Sequence, residues 1–280
     1  MYVGIDVGGT KTLVTALTDR GEIVESIKFP TPPVYKNFLL ELAHTLAHME
    51  HQEFKAGGAG MPVTNFNRDT GRALNFGNLP WKNVLFQHDI EKIFGCPFVV
   101  TNDAKLASLS EAMLLKDKYS RVLYVTISTG IGYALTVNGK IDENIGDAGG
   151  RSIMLEHKGK LMPWESFASG KAIVERYGKF AEDIHDDTTW QSIVRDLTQG
   201  FLELIAIMQP DVIVVGGSVG NFFERYQSFL EAALKQYETP LMIMPTLRKA
   251  ERPNEAVVYG AYDLAESTFH SKPSAKHNYA

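Results

Sequence analysis

The sequence predicts an α/β protein with two lobes. Apolar segments of strand length alternate along its 280 residues with segments whose apolar residues recur at helical spacing. Two glycine-tipped β-hairpins lie far apart in the chain, one around Gly8-Gly9 and one over residues 128–132. A charged stretch, residues 116–121, separates them. The repeated hairpin therefore predicts two lobes of related design with a cleft between them, divided near this charged stretch.

The first hairpin has an acid, two glycines and a hydroxyl around its tip. Predicted strands over residues 2–6 and 12–17 flank Gly8-Gly9-Thr10. P-loops and Rossmann fingerprints continue into a helix after their glycines, so this segment differs from both. The tip N–H groups and the Thr10 hydroxyl can donate to a phosphate, and Asp6 can hold Mg²⁺ directly or through water. An ordinary tight turn is the alternative, and this segment alone leaves both interpretations open.

Periodicity and turn residues predict the remaining elements. Further strands are predicted over residues 23–29, 57–60, 98–101, 121–127, 133–137 and 212–215. Helices are predicted over residues 37–51, 86–94, 104–115, 169–177, 190–208, 220–237 and 256–267. Their alternation supports the α/β class.

The predicted domain organisation places residues 1–117 in an N-terminal lobe and residues 118–255 in a C-terminal lobe. The C-terminal helix, within residues 256–270, is expected to return and complete the N-terminal lobe. Residues 271–280 contain Pro273 and several polar side chains and are predicted to form a frayed tail.

Composition argues against several classes of function. Hydrophobic residues make up 44% and charged residues 22% of the chain, as in ordinary globular proteins. A net charge of -5 and a pI of about 5.9 give no electrostatic reason to expect a nucleic-acid partner. The single cysteine, Cys96, excludes an internal disulfide and a cysteine-rich zinc site. Asp6 and Lys11 interrupt the apolar start, so we expect no signal peptide, no membrane partner and a cytoplasmic location.

Several short motifs occur in a fixed order along nearly the whole chain. They are Asp6-Val7-Gly8-Gly9-Thr10-Lys11, Gly58-Ala59-Gly60-Met61-Pro62-Val63, Asp69-Thr70-Gly71 with Asn78-Leu79-Pro80-Trp81, Asn102-Asp103-Ala104, Ser128-Thr129-Gly130-Ile131-Gly132 with Asn138-Gly139-Lys140, Glu165 with Ser169-Gly170, and Val214-Val215-Gly216-Gly217-Ser218. Each motif alone is weakly specific, whereas their order and spacing together are highly specific. The chain resembles the ROK family of sugar kinases and repressors, which implies the actin/hexokinase-like (ribonuclease H-like) fold.

The resemblance implies a role for each motif. Residues implied in binding ATP and its phosphates are Asp6, Gly8, Gly9, Thr10, Lys11, Thr129, Gly130, Gly216, Gly217 and Ser218. Residues implied in binding a sugar are Pro62, Asn78, Asn102, Asp103 and Glu165. Asp103 is the implied base that accepts the proton of the attacking hydroxyl, and Asp6 is the implied Mg²⁺ contact. The resemblance also implies that the protein forms a homodimer.

Three of these assignments have structural alternatives. Asp103 precedes Ala104 and is a suitable helix N-cap. Gly216-Gly217-Ser218 is typical of a strand-to-helix turn, which is compatible with nucleotide binding at a helix N-terminus. Glu165 follows Trp164 and is equally typical of an exposed acid.

The chain departs from the family pattern on the acceptor side. Residues 148–153 replace the family's AGExGH run, and Gly150 and Ile153 stand where Glu and His are expected to contact the sugar. Glu156 and His157 follow, and His157 is expected to be a loop histidine. The family's zinc motif would fall on residues 157–164, which contain no cysteine, so no structural zinc is expected and packing must hold this loop. Lys105, where Asn is frequent, is expected to be a solvated helix residue.

These features favour an ATP-dependent kinase acting on a hexose or a related sugar. The alternative is a sugar- or nucleotide-sensing member of the family with weak or no kinase activity, since Gly150 and Ile153 lack polar side chains. A DNA-binding repressor is not expected, because the Asp-Gly-Gly motif starts at residue 6 with no helix-turn-helix ahead of it. Polyphosphate is an alternative phosphoryl donor, although the sequence shows no basic groove for it.

Overall fold

The computed structural model describes residues 1–67 and 69–270. Its strands are β1 (Tyr2–Val7), β2 (Lys11–Leu17), β3 (Ile23–Pro30), β4 (Ala56–Met61), β5 (Val63–Asn67), β6 (Arg72–Phe76), β7 (Lys82–Val84), β8 (Phe98–Asn102), β9 (Arg121–Ile127), β10 (Ile131–Val137), β11 (Lys140–Ile141), β12 (Met154–His157), β13 (Lys160–Pro163), β14 (Val212–Gly216) and β15 (Thr246–Lys249). Its α-helices are α1 (Tyr35–His48), α2 (Phe86–Phe94), α3 (Asp103–Leu115), α4 (Glu165–Ala168), α5 (Gly170–Tyr177), α6 (Asp187–Met208), α7 (Gly217–Gly220), α8 (Gln227–Lys235) and α9 (Ala256–Phe269). The predicted tail, residues 271–280, lies outside the described residues. No helix in the described ranges has the length and apolar character needed to cross a membrane.

The chain divides into two compact units. Unit 1 contains Met1–Leu106 and the chain from Val257 onward, and unit 2 contains Ala107–Ala256. The chain therefore passes into unit 2 within α3, whereas the domain boundary predicted from the sequence follows residue 117, just after that helix. α9 belongs almost entirely to unit 1.

Unit 1 is built on a mixed sheet with the strand order β3-β2-β1-β4-β8. β1, β2 and β3 are antiparallel neighbours, whereas β1, β4 and β8 run parallel. Asp6 lies opposite Gly60, and Gly60 lies opposite Thr101. The three parallel strands thus end at one edge of the sheet, which is where open α/β sheets bind ligands.

Unit 2 repeats this arrangement with the strand order β11-β10-β9-β14-β15. The antiparallel strands β9, β10 and β11 are followed by β14 and β15, which run parallel to β9. Gly216 lies opposite Thr126, so the end of β14 is next to the tip of the second hairpin. The two units therefore share one sheet pattern.

Each unit has its own hydrophobic core. In unit 1, buried aromatic side chains of α1 and α2 pack with Trp81 against the sheet. In unit 2, the long helix α6 packs with Trp164 and buried residues of β9 and β14. The side chain of Asp186 caps α6 by accepting from the N–H of Thr189.

Small residues allow α9 to lie directly on the sheet of unit 1. A Cβ on Gly58 of β4 would overlap the carbonyl of Ala261, and a Cβ on Gly4 of β1 would lie 3.0 Å from the carbonyl oxygen of Val258. Ala261 and Ala265 are fully buried. The glycines of β4 therefore permit close contact between backbones, besides forming part of a sequence motif.

The structure corrects the helix predicted over residues 220–237. The segment contains the end of α7, a 3₁₀ turn at Phe223–Arg225 and the separate helix α8. Phe223 and Tyr226 are both fully buried and pack edge to face. Arg225 donates to three main-chain carbonyls of residues 181–184. These tertiary contacts replace a continuous helical hydrogen-bond pattern.

Two further expectations were wrong or incomplete. Lys105 is only 2% exposed and is therefore buried rather than solvated. The sequence did not predict the small sheet β5-β6-β7 or the hairpin β12-β13. These strands are short, and the register of β5 on β6 shifts twice, so a regular alternation of apolar residues is weak.

Candidate active site

Two carboxylates lie near the carboxyl edge of the parallel strands of unit 1. Asp6 lies near the end of β1 and Asp103 follows β8, while a Cβ on Gly60 between them would lie 3.4 Å from the Cα of Asp103. Burial raises the pKa of Asp6 to about 7, and the charge of Asp103 acts in the same direction, whereas Lys28 opposes them. A buried carboxylate beside a second acid makes this edge suitable for a cation.

Asn102 fixes the start of α3 and the loop after β4. Its Oδ1 accepts from the N–H of Ala104 at 2.9 Å, and its Nδ2 donates to the carbonyl of Val63 at 2.9 Å. Asp103 is the first residue of α3, and its Oδ1 also accepts from the N–H of Ala104. Asn102 is buried and serves the main chain here, so its contact with a sugar remains a prediction.

Pro62 and Asn78, the other residues of unit 1 that are predicted to contact the sugar, lie next to the hydrogen bonds of Asn102. The carbonyl of Pro62 accepts from the N–H of Gly77 at 2.7 Å, which places the loop after β4 beside Asn78. A Cβ on Gly9 would lie 2.6 Å from Nδ2 of Asn78, so this amide lies directly against the first hairpin tip. The structure therefore brings Asp6, Gly9 and Asn78 into one region with the Asn102 network.

Hydrogen bonds hold the backbone of the first hairpin tip, while two of its side chains remain exposed. The N–H of Gly8 donates to the carbonyl of Lys11, and Thr31 Oγ1 donates to the carbonyl of Gly8 at 2.8 Å. Thr31 also donates its N–H to the carbonyl of Thr10. The side chains of Thr10 and Lys11 are exposed, so a rigid backbone presents a hydroxyl and an ammonium group to a ligand.

Glu165 holds the second hairpin tip in unit 2. Its Oε2 accepts from the N–H of Ile131 at 2.8 Å, and its Oε1 accepts from Nε of Arg151 at 2.8 Å. A Cβ on Gly130 would collide with the same carboxylate. Both oxygens of Glu165 therefore have protein partners, and its predicted contact with a sugar hydroxyl remains untested.

The tip also contacts the starts of α5 and α7. The N–H of Gly170 donates to the carbonyl of Ser128 at 2.7 Å. Gly217 has a φ of +82°, and a Cβ there would lie 2.5 Å from the carbonyl oxygen of Ile127. Only glycine suits this position, because both the left-handed backbone and the close approach exclude a side chain. The second hairpin and the Gly216-Gly217-Ser218 motif thus form one surface.

This surface opens into a cavity of 580 Å³ within unit 2. The exposed Thr129 and Ser218 line it together with Ser128, Phe180 and Phe222. A volume of this size is typical of a site for a small molecule or cofactor. The sequence did not single out Phe180 and Phe222, because an apolar residue soon after a helix-ending glycine such as Gly178 commonly packs on its own helix.

His157 is part of a packed ionic cluster, so its assignment to a loop was wrong. Its ring stacks on Phe167 with centroids 4.3 Å apart, and Nδ1 lies 3.6 Å from Oδ1 of Asp196. Arg176 forms an ion pair with the same carboxylate, and Nε1 of Trp164 donates to the carbonyl of Asp196. These contacts attach the β12-β13 hairpin and α4 to α6 through Trp164 and His157, so packing holds this loop.

Comparisons with known proteins agree with this architecture. A ROK-family model matches residues 2–268. N-acetyl-D-glucosamine kinase of Haemophilus influenzae (strain 86-028NP) is 27% identical over 301 aligned residues, which cover 94% of this chain and 99% of the relative. N-acetylmannosamine kinase of Vibrio vulnificus (strain CMCP6) is 26% identical over 292 residues, covering 92% of this chain and 96% of the relative.

The structural comparison confirms the predicted fold class. A ROK family glucokinase from Streptomyces griseus, solved in complex with glucose and AMPPNP, superposes with a TM-score of 0.80 at 21% identity. The match covers 95% of this chain and 99% of the glucokinase. Because the family model matches nearly the whole chain, including all of the ordered motifs, the chain belongs to the ROK family.

Proposed function

We propose that the protein is a kinase that transfers the γ-phosphoryl group of ATP to a hydroxyl of a hexose or a related sugar. The observation that carries this proposal is the pair Asp6 and Asp103 at the carboxyl edge of the unit 1 sheet, next to the loop fixed by Asn102. The names of the curated relatives support a sugar acceptor, and their different sugars leave its identity open.

Asp103 is the proposed general base. Its carboxylate accepts the proton of the sugar hydroxyl while that oxygen bonds to the γ-phosphorus, and the bond from phosphorus to the leaving oxygen of ADP breaks. The position of Asp103 at the start of α3 is fixed by the bonds of Asn102 and of its own Oδ1 to Ala104. Pro62, Asn78, Asn102 and Glu165 are the proposed sugar contacts.

The donor is proposed to bind through backbone and hydroxyl donors of both glycine hairpins. Gly8, Gly9, Thr10 and Lys11 are the proposed phosphate contacts of unit 1. Those of unit 2 are Thr129, Gly130, Gly216, Gly217 and Ser218. The carboxylate of Asp6 fits Mg²⁺, since it is an oxygen ligand buried beside a second acid, Asp103. Mg²⁺ bound there would neutralise charge on the transferred group.

The test is an ADP-release assay with a panel of glucose, mannose, fructose, N-acetylglucosamine and N-acetylmannosamine. We expect sugar-dependent turnover, and we expect Asp103→Asn to lower kcat by about 10²- to 10⁴-fold, the usual contribution of a general base. Asp117→Asn is the matched control, because it removes the same charge from an exposed position. No sugar-dependent ADP release, or equal rates for Asp103→Asn and the wild type, would refute the proposal.

A second candidate is a sugar- or nucleotide-sensing protein without kinase activity. It is favoured by the engagement of both Glu165 oxygens and by Gly150 and Ile153, which offer no polar side chain to a sugar. Calorimetry with the same sugars separates the two candidates, since binding without turnover indicates a sensor. The homodimer remains a proposal that sedimentation measurements can test.

A further inference from the structure

We infer that Asp196 is a positioning residue that takes the place of a structural metal ion at residues 157–164 and holds Glu165 against the second hairpin tip. The inference rests on the proposed function, in which that tip binds phosphates of the donor. Asp196 lies on α6 and belongs to none of the ordered motifs. Its contacts therefore give it a role in donor affinity that no motif assigns.

The residues at 157–164 do not fit a structural zinc ion. Structural zinc sites are tetrahedral and take Cys and His ligands. This segment contains one histidine, His157, and no cysteine. Within residues 1–67 and 69–270, no group of three His, Cys, Asp or Glu side chains is placed to hold a metal ion. Contacts of another kind must therefore hold the segment.

Asp196 contacts both ends of this segment. Its Oδ1 lies 3.6 Å from Nδ1 of His157 at one end, and its main-chain carbonyl accepts from Nε1 of Trp164 at the other end at 3.1 Å. Its Oδ2 forms an ion pair with Arg176 of α5. Asp196 is buried, and a buried ion pair can fix the geometry of the groups around it even where its net contribution to stability is small.

The same cluster fixes the short helix that begins with Glu165. The residue before Glu165 is the tryptophan that donates to the Asp196 carbonyl. Two residues after Glu165, the ring of Phe167 stacks on His157, and the carbonyl of Phe167 accepts from Nη2 of Arg176 at 3.1 Å. Both of these partners also contact the Asp196 carboxylate. The chain is therefore held on each side of Glu165 by groups that Asp196 holds.

Close packing leaves Glu165 little room to move. A Cβ on Gly200 of α6 would overlap the ring of Trp164, so the helix lies directly against the indole. A Cβ on Gly150 would lie 3.3 Å from the backbone nitrogen of Glu165, on the other side. From this position the Glu165 carboxylate accepts from the N–H of Ile131 at the tip. A shift of α4 would therefore disturb the bond that holds the tip.

The experiment measures ADP affinity by calorimetry for the full chain, for Asp196→Asn, for Glu165→Ala and for the double variant. Asp196→Asn removes the charge and keeps the main-chain carbonyl that binds the tryptophan. We expect it to weaken ADP binding by about 3- to 30-fold, within the range of coupling between contacting residues. In the Glu165→Ala background the same change should weaken binding by less than about twofold, because Asp196 acts through Glu165. In turnover assays, the loss should appear in KM for ATP.

Glu203→Gln is the matched control, because it removes an exposed carboxylate from the same helix. Arg176→Met is a second test, which applies even if Asp196→Asn does not fold. It removes the ion pair with Asp196 and the bond to Phe167 at a side chain that is 28% exposed. We expect the same dependence on Glu165 for this variant and no change in ADP affinity for the control.

Losses that multiply in the double variants overturn the inference, since they show that the cluster acts independently of Glu165. Unchanged ADP affinity in Asp196→Asn and Arg176→Met overturns it too, as does the absence of ADP binding by the wild type. One zinc ion per chain in elemental analysis of the wild type overturns the replacement of the metal. Coupled losses without any sugar turnover leave this inference standing while the proposed kinase function fails, and sugar turnover with multiplying losses has the reverse meaning.

Discussion

Asp6 shows how one residue links the fold to the proposed chemistry. It is the penultimate residue of a buried strand, and both burial and the charge of Asp103 raise its pKa to about 7. In the unfolded chain its pKa returns to the ordinary value near 4. Between these two values the native protein binds one proton more than the unfolded protein does. The contribution of Asp6 to stability therefore falls as the pH rises from about 4 to about 7.

We expect Asp6→Asn to remove this pH dependence. Without Mg²⁺, the variant should be more stable than the wild type at pH 8 by about 1 to 4 kcal/mol, because each unit of pKa difference is worth about 1.4 kcal/mol. At pH 4 the two proteins should differ little. Urea unfolding at both pH values measures this, with Asp117→Asn as the control for charge. A wild-type stability that rises from pH 5 to pH 8, with the same rise in Asp6→Asn, would contradict the expectation.

Glu165 is a second residue whose contacts refine its predicted role. Its carboxylate bonds to Ile131 of the hairpin tip and to Arg151, so we expect it to position the phosphate-binding tip. Glu165→Ala should raise KM for ATP by about 10- to 100-fold, since a hydrogen bond to a charged group contributes about 1.5 to 3 kcal/mol. KM for the sugar should rise by a smaller factor, because Glu165 is also a proposed sugar contact but both of its oxygens already have protein partners.

Glu165→Gln is the matched variant for this prediction. Its amide oxygen can still accept from Ile131, whereas the ion pair with Arg151 is lost. The KM for ATP of Glu165→Gln should therefore lie between those of the wild type and Glu165→Ala. A rise confined to the KM for the sugar, in both variants, would instead support the sugar contact predicted from the sequence.

At the scale of elements, the packing of α9 on β4 depends on glycine, which has no side chain. Gly58→Ala places a methyl group against the carbonyl of Ala261, and neither backbone segment can move independently of the sheet or the helix. We expect a loss of about 1 to 3 kcal/mol in the free energy of unfolding, as for other overpacked positions. Gly146→Ala is the control, because a Cβ there has no atom within 4 Å. Equal urea midpoints for the two variants would show that the interface accommodates the methyl group.

The sequence predicted long and regular elements well. β9 and α2 have the predicted bounds, because a continuous apolar run and a regular helical spacing mark them. It failed over residues 220–237, where a helical spacing is present but the burial of Phe223 and Tyr226 and the bonds of Arg225 impose a break. The bonds of Arg225 reach residues 181–184, which are far away in the chain, so no local pattern reveals them.

The candidate site could be predicted only in part. Asp6, Asn102 and Asp103 end strands or begin a helix, and parallel pairing brings such positions together. The partners of Glu165 were not foreseen, because Ile131 and Arg151 come near it only after β10 and the β12-β13 region have folded. The environment of His157 likewise depends on Asp196, which lies on a distant helix.

At the scale of the whole molecule, each unit contains its own core and its own tryptophan reporter. Trp81 is buried in unit 1, whereas Trp164 and Trp190 are buried in unit 2. We expect unfolding in urea in two steps, because separate cores need not melt together. In the Trp81→Phe variant, tryptophan fluorescence should report the unfolding of unit 2 alone. Adding Gly58→Ala to this variant should leave the urea midpoint of that transition unchanged. A single transition shifted by Gly58→Ala would show that the molecule unfolds as one cooperative body.

The division of unit 1 into two chain segments also affects the order in which the protein forms on the ribosome. Gly4, Gly58 and the buried strands around them lack their covering helix until α9 has been synthesised. Unit 2 is continuous, so its core can close earlier. During that interval the nascent chain exposes the β-sheet surface that Ala261 and Ala265 will cover. This surface is where a chaperone would be expected to bind the unfinished protein.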